Sequence, residues 1–126
     1  MIRWLEKHNK ISWTITFMIA VIMFYVSSWE NVPSVIPTFS LNACLYHLLS
    51  YFFLGAFLLI SVVKGKFLYL SLPAALSAVI YGVTDEIHQL FVPGRSCSIG
   101  DLGLDSLGIG FAFVIYLIIL ESRNSK

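Results

Sequence analysis

Charge is what this sequence has least of. Only 12% of its 126 residues are charged, against 58% hydrophobic, and the mean hydropathy is +0.84. A soluble domain of this length needs many more polar residues to cover its surface, so the composition excludes that class and indicates an integral membrane protein. The net charge of +1 offers no basic face, which excludes a nucleic-acid partner. Sulfur is scarce too, and the two cysteines allow at most one bridge. Internal repeats and low-complexity segments are also lacking, so residues 1–126 read as one compact unit.

What is present is four apolar runs. Residues 1–10 are polar and basic (Arg3, Lys7, Lys10), and residues 11–28 then carry no charge at all. With its flanks this run reaches the roughly 20 helical residues that span a bilayer. A basic start before an apolar core also fits a cleaved leader, but the run is long for one, and a retained span is the expectation. Residues 29–40, with Glu30, Asn31, Pro33 and Pro37, read as a loop. The second span covers 41–63 and the third 67–90, joined by Lys64-Gly65-Lys66. Pro73 in the first half of the third span is a candidate kink. Pro93-Gly94 ends that helix, Ser96 to Gly100 form a small-residue loop, and the fourth span covers 101–120. The fold class is therefore an all-α membrane protein, a compact bundle of four transmembrane helices.

Putting both termini in the cytoplasm places Arg3, Lys7, Lys10, Lys64, Lys66, Arg123 and Lys126 inside and leaves only Arg95 outside. Seven of the eight basic residues then obey the positive-inside rule. The stretch 84–110, TDEIHQLFVPGRSCSIGDLGLDSLGIG, holds four of the seven acids and falls at the outer end. Helical spacing gives its residues partners. His47 and Tyr51 are an i, i+4 pair on span two, Asp85 and Gln89 another on span three, with Glu86 and Gln89 at i+3 and Gly82 one turn inward of Glu86. Asp101, Asp105, Gly108 and Ala112 form one stripe on span four, whose small residues permit close helix approach. Asp105 should thus point toward His47, Glu86 and Arg95.

The ordered set Asp85-Glu86-Ile87-His88-Gln89, Phe91, Pro93-Gly94-Arg95, Asp101, Asp105-Ser106 and Gly108, together with His47-x-x-x-Tyr51, resembles the VanZ-like membrane protein family. The resemblance runs from span two to span four. The chain departs from the family's pattern at Asp105, where Asn is frequent, and at Ala112, where Gly is usual. It implies a small helical protein of the bacterial cytoplasmic membrane, in a family whose name-giving member is linked to resistance to the glycopeptide teicoplanin.

Two readings of the polar set stand side by side. In the plainer one it is a helix-end network, with Arg95 pinned to an acid and Asp101 capping span four in competition with Ser98. In the sharper one His47, Tyr51, Asp85, Glu86, Gln89, Arg95, Asp101 and Asp105 line an outer-facing groove. That groove would recognise an amphiphile: a membrane lipid, a lipid-linked wall precursor or a lipoglycopeptide antibiotic. Arg95 would supply a planar fork for phosphate or carboxylate. An enzymatic variant makes His47 or Glu86 the general acid–base in modifying such a lipid, against the plainer reading of His47 as a hydrogen-bonding bundle residue. His88 is expected at the membrane interface. No cofactor is expected, and no metal: His47, Glu86 and Asp105 could converge, but no dense ligand motif supports it. Cys44 and Cys97 are expected as free thiols, a bridge between them being the alternative. A channel is disfavoured because four short helices leave little room for a pore.

Overall fold

The computed structural model describes residues 1–30, 41–95 and 97–125. The loop expected at 29–40 lies almost wholly outside the described residues, as do Ser96 and Lys126. The described residues form five α-helices: α1 (Ile2–Lys7), α2 (Asn9–Ser27), α3 (Leu41–Val63), α4 (Ser71–Gln89) and α5 (Ile99–Asn124). A 3-10 turn, Leu68–Leu70, leads into α4. The last four are long and apolar enough to cross a membrane, counting that turn with α4. No strand occurs among the described residues. The second span matches its expected limits, and the fourth is longer at both ends than 101–120.

The N-terminal segment departs from expectation. Residues 1–10 are helical on both sides of a break at His8, where φ −97° and ψ 59° interrupt the helix. The imidazole Nδ1 lies 2.8 Å from the Trp4 carbonyl and the ring stacks on Trp4, so the break is satisfied locally. Leu5 is buried rather than part of a solvated tail. Pro73 is not a mid-helix kink. It is the third residue of α4, in the first turn, where its missing N–H removes no intrahelical bond.

The central helix is α3, which packs against α5, α2, α4 and α1. Because lipid is as apolar as leucine, helices in a membrane associate through close fit and internal polar contacts. Both occur here. A Cβ on Gly108 would run into the Leu48 carbonyl, so glycine is required where α5 crosses α3. One turn further, a Cβ added to Gly55 would stand 3.4 Å from the Ala112 Cβ, so α3 and α5 meet there through small residues. Thr16 and Ser61 join α2 to α3 at 3.2 Å, and the Tyr81 hydroxyl donates to the Ala20 carbonyl at 2.7 Å, joining α4 to α2. Two apolar clusters fill the interior, one around Leu59, Val63 and Tyr116, the other around Met23, Leu54 and Ile109. Phe17, Ile22, Ile80, Phe111 and Ile118 project outward, as a lipid-facing surface demands.

Candidate functional site

The antiparallel course of the helices brings the start of α3, the end of α4 and the start of α5 to one end of the bundle. Ser98 caps α5: its hydroxyl accepts from the Asp101 backbone N–H at 3.2 Å. Asp101 is therefore not the cap but a first-turn acid, where a negative charge complements the helix dipole. One turn on, Asp105 points into the bundle and is 1% exposed. Its Oδ1 lies 2.9 Å from His47 Nδ1, and His47 Nε2 lies 3.9 Å from Asp101 Oδ2. The stripe thus faces the bundle as its spacing indicates, and the imidazole is held between two carboxylates.

On α4, Asp85, Glu86 and Gln89 are all buried. Glu86 Oε2 accepts from the Ser98 N–H at 2.7 Å, tying α4 to the loop before α5. Gln89 donates to Asp85 Oδ2 at 3.3 Å, and the Tyr51 hydroxyl approaches the same oxygen at 3.5 Å. Gly82 leaves room for the Tyr51 ring: a Cβ there would stand 3.2 Å from the ring and 3.5 Å from Asp105 Oδ2. Seven of the eight expected site residues therefore gather at this end. The set is closed rather than an open groove, with only Asp101 appreciably exposed.

Arg95 lies elsewhere than expected. Among the described residues it makes no ion pair with an acid. Its Nη2 donates to the Val26 carbonyl at 3.0 Å, near the end of α2, where that oxygen also accepts from the Trp29 N–H. His88 also turns to α2 rather than to the lipid interface. Its Nε2 is 2.9 Å from Ser28 Oγ, and its ring packs on Phe24. Cys44 and Cys97 are both free, as expected. Cys97 is exposed, and its thiol is pushed up by desolvation and by the negative charge of Glu86 beside it.

The polar network is not complete. Asp85 Oδ1, Glu86 Oε1, Asp105 Oδ2 and Arg95 Nε are buried without a hydrogen-bond partner among the described residues. An ionised carboxylate at the bilayer centre costs about 3 kcal/mol even on the more lenient scales, and less toward the interface where this end lies. His47, Glu86 and Asp105 each place one possible ligand atom within 4.8 Å of the others.

A second polar cluster, at the opposite end, escaped sequence reasoning. Glu6 receives two bonds from Arg123 Nη1, at 3.1 and 2.9 Å, and one from the Tyr116 hydroxyl at 3.0 Å. Tyr116 in turn accepts from the Gly65 N–H at 3.2 Å. Gly65 has φ +65°, and a Cβ on it would meet the Glu6 carboxylate at 2.9 Å, so only glycine serves. The only cue was an isolated acid in a basic N-terminal segment.

The family model described as VanZ/LLP1 matches residues 3–120, and the chain belongs to that family. The match takes in α1 and α2 as well as the motif-bearing helices. No curated protein and no solved structure matches the chain.

Proposed function

We propose that the protein is a cell-envelope component of the bacterial cytoplasmic membrane that recognises an amphiphilic ligand at its acid-rich end, facing outward. The orientation rests on the basic residues: Arg3, Lys7, Lys10, Lys64, Lys66 and Arg123 leave the acid-rich end free of all cations but Arg95. The ligand class is a lipid headgroup, a lipid-linked wall precursor or a lipoglycopeptide such as teicoplanin. The observation that carries this reading is the unpartnered Glu86 and Asp105 oxygens beside His47, next to the exposed apolar side chains of Leu90, Phe91 and Ile99. Polar atoms left unmade in the interior are what a ligand's polar group completes. Arg95, the one Lys or Arg at this end, is turned to the end of α2, and an anionic group would draw on its unpartnered Nε only if the side chain moved.

In susceptible cells, Glu86→Gln, Asp101→Asn and Arg95→Ala should abolish protection against teicoplanin while the proteins accumulate normally. Full protection by all three would overturn the reading. A second reading, an enzyme acting on a lipid-linked substrate, is favoured by the 2.9 Å His47–Asp105 pair, which orients an imidazole for proton transfer. Purified protein incubated with labelled envelope lipids should then show turnover that His47→Ala removes without changing helicity.

A further inference from the structure

The acid-rich end has a charge imbalance that a membrane interior does not tolerate. Asp85, Glu86 and Asp105 are 7%, 2% and 1% exposed, and the Asp101 side chain 27%. Against these acids stands His47, while the described hydrogen bond of the Arg95 side chain is to the Val26 carbonyl. Something positive has to join them, either protons on the carboxyls or a cation.

We infer that His47, Glu86 and Asp105 form a divalent metal site, taking an ion of the zinc or manganese kind. This goes beyond amphiphile recognition and stands whether or not an amphiphile binds. The donor set is one imidazole nitrogen and two carboxylate oxygens, which suits zinc and also accommodates manganese. Ligand atoms on one tetrahedral zinc, each about 2.0–2.2 Å from it, stand about 3.3–3.6 Å apart. The His47 Nδ1 and Asp105 Oδ1 atoms are 2.9 Å apart, a hydrogen bond whose shared proton an ion would replace while parting the two atoms slightly. The full trio lies within 4.8 Å, so closure on an ion needs only side-chain adjustment. Glu86 Oε1 and Asp105 Oδ2, buried and without partners, supply the independent sign that the cluster awaits a ligand. Surrounding groups support the trio. The Ser98 N–H holds the second Glu86 oxygen, and the Asp101 carboxylate stands 3.9 Å from the other imidazole nitrogen. Three protein ligands leave coordination positions for water or for a group of a bound molecule.

The test uses the intact chain in detergent, stripped with a chelator and then titrated with Zn²⁺ and separately Mn²⁺ by calorimetry. Metal content is measured after gel filtration. One ion per chain is expected, and His47→Ala, Glu86→Gln and Asp105→Asn should each weaken binding at least about tenfold. Circular dichroism confirms that each variant is folded. Should any of them unfold, X-ray absorption on the zinc-loaded wild type decides, with a nitrogen- and oxygen-only shell expected. No saturable binding of either ion would overturn the site and leave protonated carboxyls as the balance. Binding unchanged in the three variants, lost only in Cys97→Ser, or showing a sulfur shell would also overturn it. The protection assay can fail while the ion still binds, so the two readings are separable.

Discussion

Glu6 and Glu86 are both carboxylates held inside the bundle near one of its ends, but their surroundings differ. The Glu6 side chain, 8% exposed, takes bonds from Arg123 and Tyr116, and the Gly65 backbone closes over it. Every charge there has a direct counterpart. Glu86 receives one backbone N–H and has Asp105 and Asp101 for neighbours, with one of its own oxygens unmade. A matched pair with complementary geometry serves structure. A group of like charges around a single histidine is costly to keep in a membrane and points to use.

The difference can be tested by neutralising each end. The largest effect belongs to Arg123→Ala, which strands the Glu6 carboxylate and should lower stability by about 3 kcal/mol, read by unfolding in mixed detergent. At the other end the sign reverses. With chelator present, Glu86→Gln or Asp105→Asn removes a poorly compensated charge and should raise stability by about 1 kcal/mol. Marked destabilisation by both would show that the acid-rich end is as structural as its opposite. Tyr116→Phe deletes one hydroxyl from the satisfied cluster and should cost about 1 kcal/mol in the same assay. The smallest effect is expected from reductant. Because Cys44 and Cys97 are unbridged, it should leave the melting temperature unchanged, and a drop would reveal a staple across the acid-rich end.

Much of this was legible from residue spacing. Four long runs with few charges dictate four spans, and the 3.6-residue period turns Asp105 inward and pairs Asp85 with Gln89. The pair Ser98 and Asp101, three residues apart before an apolar run, carried the sign of a helix cap, and the serine holds it. The contacts that sequence hides are those made to backbone or across great separation. Arg95 looked destined for an acid because side chains are visible in a sequence. Its partner is the Val26 carbonyl, a backbone group near the end of α2 that carries no mark in the sequence. Glu6 and Arg123 lie near opposite termini, and nothing local announces that they meet.

The fastenings of α2 and its N-terminal extension come mostly from late in the chain. Tyr81, His88 and Arg95 hold Ala20, Ser28 and Val26, and Arg123 holds Glu6. During synthesis the first span enters the bilayer before these partners exist, and its polar groups are met by water and lipid headgroups until α3 and α4 supply Ser61, Tyr81 and His88. The Glu6 carboxylate waits longest, until Tyr116 and Arg123 of α5 have been made. A chain stalled before α5 therefore leaves that one acid without its partners.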